Sequence, residues 1–327
     1  MERAIALAWK SAGRTRPNPP VGAVVVKNGR IIGEGRHKRA GCAHAETAAL
    51  AACSEDPRGA TVYVTLEPCS REGRVGACTP ALAAAGVKRV VWACRDPNPA
   101  NSGRAARILR RAGIETASGV CAAEALPLIR PFAKHVATGL PFVTVKIAMS
   151  LDGRICDLAG NAKWISCERA RKTTGALRSR VDAVMVGAGT IRADDPSLLC
   201  RVGRNDSLVR VIAASARGIP AGSQVLSDSA ADRTIVAVPA AGSGRVDLRG
   251  LMKTLGAMGL MHVLCEGGLE LARSLADEGL VDEWICVTAP VVIGSRPVSS
   301  PLAGAFSAPF FAGRDIVSRV SFPQGGR

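Results

Sequence analysis

The stretch "GCAHAETAAL", Gly41 to Leu50, decides how the first part of this chain is interpreted. It places His44 two residues before Glu46 and continues in alanine, the strongest helix former, which predicts a helix that begins near the histidine. A lone histidine before a helix is more often a cap or a surface residue than a metal ligand. Whether His44 binds a metal beside a proton-carrying Glu46 therefore depends on the residues that follow.

The stretch "LEPCSREGRVGAC", Leu66 to Cys78, supplies Cys69 and Cys78 after a predicted strand. One histidine and two cysteines are typical ligands of a tetrahedral zinc ion whose fourth position is left to water. Cysteines at a helix start are readily held as thiolates. Zinc brings the pKa of its water close to neutrality, and Glu46 is placed to take that proton. The pattern predicts a zinc site with ligands His44, Cys69 and Cys78 and with Glu46 as the catalytic carboxyl group.

The length of 327 residues is comfortable for two domains, and 47% of the residues are hydrophobic. No run approaches 18 uninterrupted apolar residues, so we expect no membrane span. The N-terminal stretch carries an acid at Glu2 and no long apolar core, which favours a first helix over a signal peptide. Eleven cysteines without a secretion signal indicate a reducing compartment, and we expect a cytoplasmic protein.

The net charge of +16 raises the question of nucleic-acid binding. Aromatic residues make up only 3% of the chain, with one tyrosine, so stacking platforms for bases are scarce. An arginine-rich composition or a phosphorylated small substrate explains the charge without a nucleic acid. A nucleic-acid partner is therefore disfavoured.

Strand-like and helix-like runs alternate along the chain, which predicts an α/β fold with a largely parallel first sheet. Within it, "VGAVVVKNGRIIGEG" is typical of a hairpin that turns at Asn28-Gly29. The stretch "KHVATGLPF", Lys134 to Phe142, is a plausible linker, so we place one domain at 1–138 and a second at 139–327. The tail from about Ser299 is rich in Ser, Pro and Gly, and no regular structure is predicted there.

The His-x-Glu and Pro-Cys elements resemble those of cytidine-deaminase-like zinc deaminases. Those enzymes use a short Cys-x-x-Cys, whereas eight residues separate Cys69 from Cys78 here. The longer gap, with "RPNPPVGAVVV" and "RDPNP", resembles the bifunctional riboflavin-biosynthesis deaminase/reductases. This resemblance implies an N-terminal cytidine-deaminase-like α/β/α sandwich. It also implies hydrolytic deamination of a phosphoribosylaminopyrimidine that carries a 2-amino group, with Glu46 as the proton shuttle.

The second half carries "KIAMSLDGRI", "AKWIS", "VMVGAGTIRADDPSL" and "CEGGLEL" in that order, and all four resemble the same family's reductase domain. The resemblance implies a dihydrofolate-reductase-like α/β fold and homo-oligomers formed through this domain. It further implies hydride transfer from NADPH to C1′ of the ribosylamino group, which opens ribose to a ribityl chain.

Residue types support parts of this assignment independently. The glycines of "GAGT", Gly187 to Thr190, allow close approach of a cofactor, although the motif is not a dinucleotide fingerprint. Gly267 and Gly268 lead into a predicted helix whose N–H groups suit a pyrophosphate. Arg178 and Arg201 are candidates for the substrate phosphate, with a solvated surface charge as the alternative for each.

By resemblance, the residues that match cofactor-contacting positions are Ala148, Trp164, Thr190, Asp194 and Ser215. Those that match substrate-contacting positions are Arg178, Leu198, Arg201 and Glu266, with Lys146 beside them on its strand. Most of the catalysis in this half would be positioning of cofactor and substrate.

Several positions depart from the family pattern, namely Ala48, Arg71, Val75, Ala162, Ala214 and Leu269. They spare the zinc ligands and Glu46, so we expect deamination chemistry to be retained while the exact substrate stays open. Two alternatives remain: a related deaminase/reductase of another pathway, and a zinc deaminase that acts on nucleic acid.

Overall fold

The computed structural model describes residues 1–71, 75–156, 165–293, 305–306, 309–313 and 315–321. The chain forms two compact units, Met1–Gly139 and Leu140–Arg327. Each unit is a sheet flanked by helices, so the predicted α/β class is confirmed. Among the described residues, no helix is long and apolar enough to cross a membrane.

The first unit is built on a five-stranded sheet with the order β2-β1-β3-β4-β5. Its elements in chain order are α1 (Glu2–Trp9), β1 (Gly22–Lys27), β2 (Arg30–Arg36), α2 (Ala45–Ala51), β3 (Thr61–Leu66), α3 (Cys78–Ala84), β4 (Arg89–Cys94), α4 (Arg104–Arg111), β5 (Glu115–Ser118) and α5 (Ala122–Thr138). Strand β1 pairs antiparallel with β2 and β3, whereas β3, β4 and β5 run parallel. The prediction of a largely parallel sheet is therefore wrong for this unit, because the hairpin adds antiparallel pairs at one edge.

The predicted hairpin is confirmed. Lys27 pairs with Arg30, which leaves Asn28 and Gly29 as a two-residue loop. Both loop residues lie in the left-handed region, with φ of 49° and 75°. Such loops match the right-handed twist of the strands they join, and Asn-Gly adopts them at little cost.

Both faces of this sheet are covered. Val25 and Leu82 belong to the core under α2, α3 and α4, while the neighbouring Val24 faces α1. Gly35 lets α2 approach the sheet closely, since a Cβ there would lie 2.3 Å from both the Ala45 carbonyl oxygen and the Ala49 nitrogen. Because α2 begins directly after His44, this close approach sets the position of the histidine.

The second unit contains a nine-stranded sheet with the order β12-β14-β11-β6-β10-β7-β8-β9, and β13 also pairs with β14. Its elements are β6 (Phe142–Ser150), α6 (Glu168–Gly175), β7 (Ala183–Gly187), α7 (Ala188–Asp194), β8 (Val209–Ala213), α8 (Gln224–Ser227), β9 (Thr234–Ala237), α9 (Leu248–Ala257), β10 (His262–Cys265), α10 (Leu269–Asp277), β11 (Glu283–Ala289), β12 (Ala305–Phe306), β13 (Phe310–Ala312) and β14 (Asp315–Ser321). Short 3-10 helices cover Ala176–Arg180 and Ala231–Arg233. From β11 to β9 all neighbours are parallel.

Two expectations about chain organisation are wrong. Helix α5 continues to Thr138, so the first five residues of the predicted linker are helical and only residues 139–141 separate it from β6. The tail is also not without structure, because β14 pairs with residues 283–288 of β11. Asp315, Val317 and Val320 of β14 are buried, an alternation that the surrounding Ser-, Pro- and Gly-rich composition hides.

Candidate functional site

The structure brings His44, Cys69 and Cys78 together from three different segments. His44 is the N-cap of α2, Cys78 is the first residue of α3, and Cys69 lies shortly after β3. The His44 Nδ1 atom lies 3.3 Å from the Cys69 Sγ and 3.2 Å from the Cys78 Sγ. All three ligand atoms lie within 4.8 Å of one another, and one nitrogen with two sulfurs is a donor set that fits zinc.

Backbone hydrogen bonds join the two cysteines although eight residues separate them. The Cys69 carbonyl oxygen accepts from the N–H groups of Cys78 and Thr79, both at 3.1 Å. The Cys78 N–H also points to the Cys69 Sγ at 3.2 Å. The first turn of α3 thus holds Cys69 by its main chain and favours negative charge on its sulfur.

The two thiols are not equivalent. A hydrogen bond from Cys78, assisted by His44, lowers the pKa of Cys69 to about 4. The same hydrogen bond, together with burial, raises the pKa of Cys78. Cys78 therefore holds its proton more tightly than Cys69 does, and metal binding to both sulfurs would require the loss of that proton.

Glu46 lies in the first turn of α2 and its side chain is only 4% exposed. Burial, with a contribution from the neighbouring Cys69 charge, raises its pKa to about 7. A carboxyl group with a pKa near neutrality can both accept and deliver a proton at physiological pH. This property suits the predicted role of Glu46.

Sequence reasoning missed two polar residues of the adjoining pocket, Asn18 and His37. The pocket lining also includes Glu46, Cys69, Asp96 and Phe132. His37 is buried, and its Nδ1 lies 3.2 Å from the Ala43 carbonyl oxygen, an acceptor, so this nitrogen carries the proton. The His37 Nε2 then accepts from the Asn18 amide at 3.1 Å. Two features of the sequence could have indicated these residues. Asn18 lies in the motif "RPNPP", and His37 is one of only four histidines in the chain.

Most of the predicted reductase residues lie at one edge of the second sheet. Lys146 and Ala148 are on β6, Thr190 and Asp194 are in α7 after β7, and Ser215 follows β8. Strands β6, β10, β7 and β8 are adjacent and parallel, so their carboxyl ends share an edge. Ligands of open α/β sheets bind in the crevice outside such an edge.

The two glycine segments of this edge are in direct contact. The Glu266 N–H donates to the Met185 carbonyl oxygen at 2.9 Å. A Cβ on Gly267 would lie 3.2 Å from the Gly187 nitrogen, tighter than an ordinary van der Waals contact, so glycine favours this close approach. Gly268 is the N-cap of α10, which places the helix N-terminus at the same edge.

Arg178 and Glu266 form an ion pair at 2.6 Å, with side chains that are 13% and 12% exposed. The Arg178 Nη1 also donates to the Leu199 carbonyl oxygen at 2.9 Å. Burial lowers the pKa of Lys146; the Glu266 charge opposes this shift and the Arg178 charge adds to it. The charges of three predicted substrate residues, Lys146, Arg178 and Glu266, thus interact with one another, and we call these residues the electrostatic group.

The remaining predicted positions differ in their exposure and in the atoms with which they could contact a ligand. Leu198 is 1% exposed within the core and has a φ of 57°, so only its main chain is placed to touch a ligand. Arg201 is exposed. Trp164 and Ala162 lie outside the described residues. The Ser215 Oγ is buried with no hydrogen-bond partner among the described residues, which fits a site that a polar cofactor completes.

Comparison with known proteins gives each half a family. The family model for the cytidine and deoxycytidylate deaminase zinc-binding region matches residues 1–94, which contain the three clustered zinc-ligand candidates. The family model for the RibD C-terminal domain matches residues 141–307.

Relatives match both halves together. Riboflavin biosynthesis protein RibD of Actinobacillus pleuropneumoniae is 38% identical, covering 93% of this chain and 86% of its own length. The Escherichia coli protein of the same name is 37% identical, covering 90% and 88%. A solved Acinetobacter baumannii RibD has a TM-score of 0.86 at 36% identity, covering 99% and 98% of the two chains. A Thermotoga maritima diaminohydroxyphosphoribosylaminopyrimidine deaminase/5-amino-6-(5-phosphoribosylamino)uracil reductase has a TM-score of 0.88 at 35% identity, covering 99% and 97%. The chain therefore belongs to the RibD family, the bifunctional deaminase/reductases of riboflavin biosynthesis.

Proposed function

We propose that residues 1–138 deaminate a phosphoribosylaminopyrimidine that carries a 2-amino group, and that residues 139–327 then reduce its ribosyl group to ribityl. The observation that carries the proposal is the cluster of His44, Cys69 and Cys78, whose ligand atoms lie within 4.8 Å of one another and share a pocket with Glu46. The family match supports a deamination and a reduction carried out by one chain, because the relatives named above join the same two halves.

In the deamination, His44, Cys69 and Cys78 would hold a zinc ion, which as a Lewis acid would make water a nucleophile at neutral pH. Glu46 accepts the proton that the attacking water loses. It then delivers this proton to the ring nitrogen, and it carries a second proton, from the hydroxyl added to the ring carbon, to the amino group, which leaves as ammonia. Water and the amine are consumed, and an oxo group and ammonia are formed. The raised pKa of Glu46, about 7, matches a group that must bind and release protons within one cycle.

Asn18 and His37 orient the pyrimidine in this proposal. Burial lowers the pKa of His37, so its ring stays neutral and its Nε2 remains an acceptor for the Asn18 amide N–H. That hydrogen bond fixes the rotation of the Asn18 side chain. Its amide oxygen is then positioned to accept from an amino group of the substrate.

In the reduction, NADPH would supply a hydride to C1′, and the ring oxygen released when the C1′–O4′ bond breaks would take up a proton. Arg178 holds the Glu266 carboxylate in one orientation through two N–H groups, at 2.6 and 2.7 Å. Lys146, whose pKa is lowered by burial, lies in the same electrostatic group and holds the ribosyl group. Rate enhancement here comes mainly from placing C1′ against the cofactor.

The reductase unit is also proposed to form homo-oligomers. Phe310 and Phe311 of β13 are 51% and 72% exposed, and Ile316 of β14 is 38% exposed. Phe311 and Ile316 are cross-strand partners and share one face of the sheet, and exposed apolar side chains grouped in this way are typical of a protein–protein contact. Sedimentation of wild-type protein and of Phe311→Glu tests this assignment, and a monomeric wild type contradicts it.

We also propose a cytoplasmic location. None of the eleven cysteines forms a disulfide bond, which is typical of proteins of a reducing compartment.

Mass spectrometry of the purified enzyme with the aminopyrimidine phosphate tests the main proposal. With zinc alone we expect replacement of the amino group by oxygen, and after addition of NADPH a gain of two hydrogens. An unchanged substrate mass in the presence of zinc and NADPH contradicts the proposal. Binding to RNA that weakens steeply with salt would instead favour a nucleic-acid substrate.

A further inference from the structure

A single buried side chain, Asn101, bonds to both sides of the predicted zinc ligand Cys69. Asn101 is 6% exposed and lies between β4 and α4. Its Oδ1 accepts from the Ser70 N–H at 2.8 Å and from the Ser70 hydroxyl at 2.6 Å. Its Nδ2 donates to the Pro68 carbonyl oxygen at 3.3 Å. The residues before and after Cys69 are thus joined by one amide group.

The nitrogen of this amide makes a second hydrogen bond, to the Asp96 carboxylate. The Asn101 Nδ2 also donates to the Asp96 Oδ2 at 2.9 Å. The Asp96 N–H donates to the Glu67 Oε2 at 3.2 Å. Glu67 in turn accepts from the N–H groups of Gly103 at 3.0 Å and Ala105 at 3.2 Å, at the start of α4. The Cys69 segment is therefore connected to the N-terminus of α4 through a buried network.

We propose that Asn101 is a positioning residue for zinc binding, which acts by fixing the main chain on both sides of Cys69. The main chain around Cys69 sets the 3.3 Å separation between its Sγ and the His44 Nδ1. Groups that orient metal ligands without touching the metal affect metal affinity by about 10- to 100-fold. This inference rests on the proposed zinc-dependent deamination.

The chain contains a closely matched control residue in Asn205 of the second unit. Asn205 is also 6% exposed. Its Nδ2 donates to the Val181 carbonyl oxygen at 2.8 Å, and its Oδ1 accepts from the Ser207 N–H at 3.2 Å and hydroxyl at 2.9 Å. Replacing either asparagine by alanine removes these three kinds of hydrogen bond; Asn101→Ala also removes the bond to Asp96, and only Asn101 adjoins a zinc-ligand candidate.

The experiment compares full-length wild type, Asn101→Ala and Asn205→Ala. Zinc affinity is measured by competition with a chromogenic chelator, and the cobalt-substituted proteins are compared by their thiolate absorption bands. Unfolding of the metal-free proteins measures stability. We expect both variants to lose stability, while only Asn101→Ala loses zinc affinity, by about 10- to 100-fold, and shows altered cobalt bands.

Equal zinc affinity in all three proteins overturns the role of Asn101 and leaves the proposed function intact. A wild type that binds no zinc overturns the proposed function and this inference with it. If Asn101→Ala does not fold, Ser70→Ala replaces it, because it removes only the hydroxyl donor to Asn101. A smaller loss of zinc affinity in Ser70→Ala then supports the inference, and an unchanged affinity overturns it.

Discussion

The two sites of this chain differ in how complete they are without a ligand. In the first unit, the Nδ1 of His44 lies within hydrogen-bonding distance of both cysteine sulfurs, and helix α3 holds Cys69 through its main chain. In the second unit, the Ser215 Oγ is buried without a partner among the described residues. The candidate zinc site is set by short contacts among its own ligand atoms, whereas the reductase edge offers a buried hydroxyl to a polar cofactor; the Thr79 Oγ1 beside Cys78 is likewise buried without a partner among the described residues.

The largest expected effect separates the two sites. Glu46→Gln removes the proton carrier but none of the zinc ligands, so we expect deamination to fall by about 10²- to 10⁴-fold while zinc remains bound. Reduction of the deaminated substrate, measured separately with NADPH, should be unchanged. Glu34→Gln is the matched control, since Glu34 pairs with Arg3 on the surface. Full deamination by Glu46→Gln would show that another group carries the proton.

The chemical difference between the two sites also explains which of their residues could be identified from the sequence alone. The candidate zinc ligands are recognisable because histidine and cysteine have distinctive metal chemistry, and the predicted family, fold class, function and cofactors are confirmed. Ala148 and Leu198 have no such chemical signature, so they were assigned only by resemblance. Asn101 and Asn18 were missed because an asparagine becomes informative only when its hydrogen-bond partners are known.

Errors about the fold have a related cause. Strand β14 was missed because its alternating pattern, Asp315 to Ser321, is short and follows a stretch rich in Ser and Pro. It is fixed by pairing with β11, a contact between distant parts of the chain that local composition does not record. Tertiary pairing of this kind routinely overrides local propensity.

A second prediction tests whether the reductase site depends on its ion pair. Arg178→Met leaves the Glu266 carboxylate, 12% exposed, without its main cation, and breaking such a buried pair costs about 3–5 kcal/mol of stability. We expect reduction to be lost and deamination to persist. Arg204→Met is the control, because Arg204 and Asp206 are 80% and 71% exposed and such a pair contributes at most about 1 kcal/mol. Equal effects of the two variants would contradict a special role for Arg178.

A third prediction concerns the support of the zinc site. Gly35→Ala places a Cβ 2.3 Å from the Ala45 carbonyl oxygen, so α2 must shift away from the sheet and carry His44 with it. Overpacking of this kind typically costs about 1–3 kcal/mol. We expect lower stability and weaker zinc binding. Gly222→Ala meets nothing within 4 Å and should change neither quantity. Normal zinc affinity in Gly35→Ala would mean that the helix position does not control the ligand set.

The smallest expected effect is that of Ser215→Ala, which we expect to weaken cofactor binding without lowering the stability of the protein. Ser215→Ala removes a buried hydroxyl that has no partner among the described residues, so the cofactor-free protein should be as stable as wild type or slightly more stable. If NADPH supplies the missing partner, its KM should rise by about 2- to 10-fold, the equivalent of one hydrogen bond. Ser243→Ala, which alters an exposed hydroxyl, is the control for both measurements. A stabilised protein with a higher KM shows that the hydroxyl is maintained for the cofactor at a cost to the free enzyme. A lower stability with an unchanged KM would instead make Ser215 part of the fold, and the second site would then be as complete without its ligand as the first.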